Sequence, residues 1–197
     1  MTRLTLVTGG VRCGKSRWAE RLAGKCDHVT YIATTHLSSQ TATEASPDPE
    51  MVLRVERHRR RRVSQFPDWE TIEEPWHLTK VLPNIDHDGA ILLECLNLWM
   101  TNLLVGTMEQ SGLSDADVTN AVEEFLAACT SHPAKVIVVT NEVGWGIIPV
   151  NELARRFTDL LGEANQRFAQ EATEVYACLA GIPVRLKPQP LSGMTES

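Results

Sequence analysis

Leu4-Thr5-Leu6-Val7-Thr8-Gly9-Gly10-Val11-Arg12-Cys13-Gly14-Lys15-Ser16 is the stretch on which the architecture turns. A short apolar run ends in two glycines, and Gly9 to Ser16 then follows the pattern G-x-x-x-x-G-K-[ST]. Each residue type in that pattern has a physical task. Glycines let backbone N–H groups turn inward around phosphate oxygens. A lysine at position 15 reaches the β- and γ-phosphates, and a serine hydroxyl at position 16 is a ligand for Mg²⁺. The helix that opens next points its positive end at the anion. The pattern alone occurs by chance. A buried strand before it and a helix after it are the confirming context. Gly9, Gly10, Val11, Arg12, Cys13, Gly14, Lys15 and Ser16 are therefore expected to hold a nucleoside triphosphate.

Working outward, the loop is flanked by strand and helix signals in alternation. Residues 15–23 read as a helix opening from the glycine loop, and 29–33 as a second strand rich in β-branched and aromatic residues. Residues 34–48 are polar and without period, and read as a mobile loop. A helix is expected after Ser46, with Pro47 as its first residue and Asp48 and Glu50 suited to its positive end. Ala90-Ile91-Leu92-Leu93 and Val136-Ile137-Val138-Val139-Thr140 are continuous apolar runs, the signature of parallel strands covered on both faces. Glu94 ends the first of these runs, which suits a second metal-binding carboxylate beside Ser16. A plain polar strand end is the alternative. The second run ends in Asn141-Glu142. Between the runs, Ser114 with Asp117 opens a helix whose inward stripe is Val118, Val122 and Phe125. The longest helix runs from Asn151 to about Ala172, with Leu153, Phe157, Leu160, Leu161, Ala164 and Phe168 at helical spacing. Residues 174–179 and 184–186 read as two terminal strands. The expected fold is α/β: a doubly wound, mostly parallel sheet with flanking helices, like the P-loop nucleoside triphosphate hydrolases. One domain over 1–187 and a disordered tail over 188–197 complete the expectation.

Composition narrows the partners. The 197 residues carry a net charge of −6, yet residues 54–62 hold six arginines and one glutamate, a local +5 that leaves −11 on the rest. A general nucleic-acid binder is basic over a wider face. A local arginine cluster on an acidic body fits one small polyanion. Five widely spaced cysteines with no C-x-x-C pair suggest neither a zinc site nor a disulfide framework. No apolar run reaches membrane-spanning length. The chain is expected to be soluble and cytoplasmic, with no nucleic-acid partner.

His58 stands within Arg57-His58-Arg59-Arg60-Arg61-Arg62. Met51, Val55 and His58 fall on one helix face. Neighbouring positive charge keeps an imidazole neutral and nucleophilic, and the same arginines stabilise charge on a phosphate under attack. That environment suits a phosphorylated or nucleotidylated histidine. On composition alone, a solvated basic face with an incidental histidine is the better reading. The other histidines form no metal-spaced cluster.

The combination of segments resembles a known family. They are the glycine loop, Tyr31-Ile32-Ala33-Thr34, Glu50-Met51 through His58-Arg59, Trp69-Glu70-Thr71-Ile72-Glu73 and Ile91 to Cys95 through Thr101-Asn102-Leu103-Leu104. Thr140-Asn141-Glu142-Val143-Gly144, Pro149, Leu153, Arg156-Phe157, Asp159, Gly162 and Asn165-Gln166 complete the set. The chain resembles, over about residues 4–187, the bifunctional adenosylcobinamide kinase/adenosylcobinamide-phosphate guanylyltransferases of cobalamin biosynthesis. The resemblance implies phosphorylation of adenosylcobinamide with ATP or GTP, then transfer of GMP from GTP onto adenosylcobinamide phosphate through a histidine that maps onto His58. It also implies nucleotide contacts at Thr34, Thr35, His36, Arg59, Arg60, Arg61, Arg62, Glu73 and Glu94, and a homotrimer. Three departures stand out. The stretch 34–50 is longer than usual, Val63 follows Arg62 where the family has proline, and Cys13 replaces a usual serine. Two other readings remain at this level: a P-loop kinase of another small molecule without guanylyl transfer, and a nucleotide-hydrolysing switch. Against the switch, no Asn-Lys-x-Asp motif is present.

Overall fold

The computed structural model describes residues 3–35, 53, 56, 57, 59, 60, 63–106 and 111–188. The expected loop over 34–48, from residue 36 onward, the helix start at Ser46 and the tail beyond 188 lie outside the described residues.

Seven strands form one sheet in the order β3-β2-β4-β5-β1-β6-β7. They are β1 (Leu4–Gly9), β2 (Val29–Ala33), β3 (Glu70–Glu73), β4 (Ala90–Glu94), β5 (Lys135–Val139), β6 (Glu174–Leu179) and β7 (Ile182–Lys187). All neighbours pair in parallel except β6 with β7, which form an antiparallel hairpin. The helices are α1 (Lys15–Ala23), α2 (Leu78–Val81), α3 (Leu96–Val105), α4 (Asp115–Ser131) and α5 (Glu152–Glu171). Described residues 53, 56, 57, 59, 60 and 63–65 are also helical.

The strand period of two sorts the core into two layers. Leu4, Leu6, Ile91, Leu93, Val136 and Val138 face α3, α4 and α5. Val7, Ala90, Leu92, Ile137 and Val139 face α1, through Ala19, Leu22 and Ala23. Helices on both faces bury the central strands completely, so those strands need no polar side. This is the doubly wound α/β sheet expected from the sequence.

Local chemistry explains the boundaries. The Ser114 hydroxyl accepts from the Asp117 N–H and caps α4, as the S-x-x-D spacing predicts. Asn151 caps α5 in the same way, through the Ala154 N–H. Leu153, expected on the inward stripe of α5, is at the surface instead, and packing against the core begins at Phe157. That first turn is held sideways: the Arg155 guanidinium donates to the carbonyls of Pro149 and Val150. Three elements add to the sequence reading, the edge strand β3, the short helix α2 and the helix α3. The terminal strand β7 starts at Ile182, two residues before the expected start.

Trp99 of α3, Phe125 of α4 and Phe168 of α5 stack in a row, with ring centroids 5.4 and 6.1 Å apart. Phe125 is the middle ring and is fully buried. Phe125→Ala leaves a cavity in contact with both neighbours, at a cost of roughly 3–5 kcal/mol. Urea unfolding should show a much lower midpoint at unchanged slope. A midpoint within error of the parent would mean that the three helices do not share this core.

Candidate active site

The site lies at the carboxyl ends of the parallel strands, where open α/β sheets present their ligand crevice. β1 ends in the glycine loop. Gly9 (φ +143°), Arg12 (φ +59°) and Gly14 (φ +96°) have left-handed backbones, and glycine adopts these freely. Space is as tight as torsion. A Cβ on Gly9 would lie 2.5 Å from the Cys178 carbonyl oxygen and 2.7 Å from Cys13 Sγ. The Gly181 N–H donates to the Cys13 carbonyl at 3.0 Å, so the β6–β7 turn braces the loop from behind. Burial, and then Cys13 nearby, push the Cys178 thiol up to about 11, with Lys15 opposing. It stays protonated at neutral pH.

Lys15 Nζ donates to the Gly10 carbonyl at 3.1 Å, across its own loop. The Ser16 hydroxyl donates to Glu94 Oε1. The serine of the loop and the carboxylate that ends β4 are thus in direct contact, although β5 lies between their strands. A hydroxyl and a carboxylate are hard oxygen donors, the set that Mg²⁺ takes alongside waters and substrate phosphates. Among the described residues no three His, Cys, Asp or Glu side chains converge as a full cage.

The backbone beyond β4 is pinned by Thr34. Its hydroxyl donates to the Cys95 carbonyl at 2.9 Å and accepts from the Cys95 N–H at 2.8 Å. Thr34 is completely buried, so its side chain holds the end of β4 in place, and Thr35 beside it is half-buried. Asn102 of α3 donates to the carbonyls of Thr34 and Pro75 at 2.9 and 3.0 Å.

Farther along the edge, Arg59 pairs with Glu73 at the end of β3, with 3.8 Å between the groups. Both are more than half exposed, which makes the pair weak. Arg60 pairs with Glu56 on its own helix. β3 and β1 are separated by four strand spacings, about 19 Å. His58, His36, Arg61 and Arg62 lie outside the described residues.

On the other side of Glu94 the structure brings Thr8, Glu142 and Asn165 together. Glu142, just past β5, accepts from the Thr8 hydroxyl at 2.8 Å and from Asn165 Nδ2 at 3.3 Å. The signal for it was the polar Thr140-Asn141-Glu142 directly after an apolar strand.

A phosphate loop, a serine–carboxylate pair and an arginine-rich helix on one sheet edge narrow the choice of family. The family model described as cobinamide kinase / cobinamide phosphate guanyltransferase matches residues 5–186. The chain belongs to that family. "Bifunctional adenosylcobalamin biosynthesis protein CobU" of Escherichia coli (strain K12) is 39% identical, covering 93% of this chain and 99% of that protein. The protein of the same name from Salmonella typhimurium is 40% identical, with the same coverage. "Bifunctional adenosylcobalamin biosynthesis protein CobP" of Pseudomonas aeruginosa is 38% identical over 94% of this chain and 98% of its own. A cobinamide kinase / cobinamide phosphate guanyltransferase is an enzyme that uses nucleotides, and the glycine loop is the feature here built for them. All five cysteines are free thiols. Among the described residues no helix is long and apolar enough to cross a membrane.

Gly9→Ala tests the loop. The new methyl meets a carbonyl oxygen at a torsion that side chains rarely adopt. Titration calorimetry with GTP should show affinity at least roughly tenfold weaker, and the melting temperature should fall as the contact with β6 is forced apart. Parent-like affinity would show that the loop does not hold the triphosphate.

Proposed function

We propose that this chain catalyses two successive transfers on one acceptor. In the first, the hydroxyl of adenosylcobinamide attacks the γ-phosphorus of ATP or GTP; a P–O bond forms and the nucleoside diphosphate leaves. In the second, GMP passes from GTP to the new phosphate, giving adenosylcobinamide-GDP and pyrophosphate. The observation that carries the reading is the Ser16–Glu94 contact at the mouth of a glycine loop, in a chain that matches the family model across residues 5–186.

Lys15 has the reach for the first transfer. Its ammonium already lies across the loop on the Gly10 carbonyl, and phosphate oxygens are stronger acceptors for it than a neutral carbonyl. The loop Gly9, Gly10, Val11, Arg12, Cys13, Gly14, Lys15 and Ser16 would offer backbone N–H groups to the anion at the positive end of α1. Ser16 and Glu94 would hold Mg²⁺, which neutralises charge on the phosphates when bound.

His58 is the proposed carrier in the second transfer. A neutral imidazole nitrogen attacks the α-phosphorus of GTP, forms a P–N bond and releases pyrophosphate. The acceptor phosphate then attacks the same phosphorus, and the histidine leaves. Arg59, Arg60, Arg61 and Arg62 would offset charge on the phosphate in both steps. Thr34, Thr35, His36 and Glu73 are assigned to the nucleotide as backbone or polar contacts, with Thr34 acting through its carbonyl or through Glu94. The single sheet running from β1 to β7 supports one domain over 1–187. A cytoplasmic homotrimer, with 188–197 as a tail, completes the reading.

Two measurements test it. Incubation with α-labelled GTP should leave base-stable, acid-labile label on the chain. His58→Ala should abolish that label and guanylyl transfer while kinase turnover stays within a few-fold; label retained in the variant would sink the carrier assignment. Separately, Glu94→Gln should raise the Mg²⁺ concentration needed for half-maximal kinase rate by roughly tenfold or more, because a neutral amide is a poorer ligand for a hard cation. An unmoved Mg²⁺ titration would transfer the metal to another acid.

A further inference from the structure

Glu142 is anchored to the phosphate loop by more than proximity. Its backbone N–H donates to the Gly9 carbonyl at 3.2 Å, tying it to the first glycine. Its carboxylate is oriented from two sides: by the Thr8 hydroxyl, one residue ahead of the loop, and by the Asn165 amide of α5. Asn165 is buried and cannot swing away. Its Oδ1 accepts from the Thr140 hydroxyl at 2.8 Å, and its Nδ2 also donates to the Asn141 carbonyl at 2.9 Å. Both donors fall on Glu142 Oε1, which leaves Oε2 as the oxygen open to an incoming group.

The electrostatics are unusual for a site that must hold a polyanion. Glu142 is half-buried, and among the described residues no Lys, Arg or His forms an ion pair with it. Its hydrogen-bond partners are neutral. A fixed carboxylate beside triphosphate oxygens weakens nucleotide binding by repulsion. Its oriented placement there is accounted for if it handles a proton.

The surface next to it suits an acceptor. Trp145, Ile147, Ile148 and Val150 begin three residues later and are 77, 98, 78 and 97% exposed. This is a run of large apolar side chains turned outward in the segment that follows Glu142, of the kind that marks a binding surface. It offers apolar contact to the faces of a macrocyclic acceptor, close in sequence to Glu142.

We propose that Glu142 is the catalytic base of the kinase step. The inference rests on the kinase reading above. The acceptor O–H bond breaks and its proton passes to Glu142 Oε2. The freed oxygen pair forms the bond to the γ-phosphorus, and the bond from that phosphorus to the β–γ bridging oxygen breaks, its electrons leaving with the nucleoside diphosphate. The guanylyl step has no such requirement. Its acceptor is a phosphate monoester, whose second pKa of about 6 leaves an anionic oxygen ready at neutral pH. Glu142 therefore serves one of the two reactions and not the other.

The test uses the full chain, with adenosylcobinamide and adenosylcobinamide phosphate supplied separately. Glu142→Gln keeps the shape and the Thr8 bond but cannot accept a proton. Kinase kcat should fall by roughly 10²–10⁴-fold, while KM for the nucleotide stays level or falls, because the repulsion between carboxylate and triphosphate is gone. GMP transfer onto preformed adenosylcobinamide phosphate should stay within about threefold of the parent. Glu142→Asp should recover part of the kinase rate. Equal loss in both reactions would reduce Glu142 to a structural role and overturn the proposal. So would an undiminished kinase rate, or a loss rescued by added Mg²⁺, which would make Glu142 a metal ligand. If Glu142→Gln fails to fold, as judged by its melting curve, Thr8→Val applies the same split, because removing the donor to Oε1 misplaces the base and should slow the kinase reaction selectively; equal slowing of both reactions in Thr8→Val would overturn the proposal. A parent chain that phosphorylates no adenosylcobinamide would refute the kinase reading itself, before any variant is compared.

Discussion

Gly9 has no room for a side chain, and that lack of room orders much of the molecule. The chain must leave a fully buried strand, turn with a left-handed backbone against the β6 carbonyl of Cys178, and enter a helix within six residues. Only a central strand, covered on both sides, can supply such a floor. With β1 central, β5 and β6 become its neighbours, and the loop acquires one wall from each. The β6 wall is backbone: the Gly181 N–H on Cys13. The β5 wall is chemical: Glu142 on Gly9 and Thr8. Glu94 joins from the next strand out by reaching the Ser16 hydroxyl.

The same topology separates two kinds of chemistry. The glycine loop, Glu142 and Glu94 gather at β1, β5 and β4, whereas the arginine-rich helix meets the sheet at β3, through Arg59 and Glu73. Along the edge, four strand spacings, about 19 Å, separate β3 from the loop's strand β1, and two, about 10 Å, separate it from β4. A chain that performs two transfers on one acceptor gains from this. Under the proposed roles, the group acting at the γ-phosphate and the groups acting at the α-phosphate need not occupy the same space.

Most of the sheet was legible because its central strands are apolar on both faces. A run such as Ala90 to Leu93 is too short for a buried helix and too apolar for a loop, so it fits a covered strand. β3 was not legible as a strand. It is four residues long, sits at the edge and carries glutamate at both ends, so it offers no alternation and no apolar run. The helix α3 was hidden for the opposite reason. It follows β4 with no glycine or proline between them, and its side chains are apolar on most of its circumference, so neither a break nor a period marks its start. At the site, residue types found the loop and Glu94, because the chemistry demands them. Glu142 needed the fold. Its partners Thr8 and Asn165 are 134 and 23 residues away in sequence, and only the sheet brings them together.

Asn102 has a consequence of a different kind. Its one amide group bonds the Thr34 carbonyl and the Pro75 carbonyl together, and so fastens the chain where β2 ends and again where β3 has passed. Whatever lies between those two points is suspended from a fixed frame. Residues can be added or removed there without moving Glu94, because Thr34 and Cys95 are already locked to each other. This is the region in which the sequence reading expects extra length relative to the family's pattern. A single asparagine thus uncouples the corner around Glu94 from the length of the chain that leaves β2 and returns after β3.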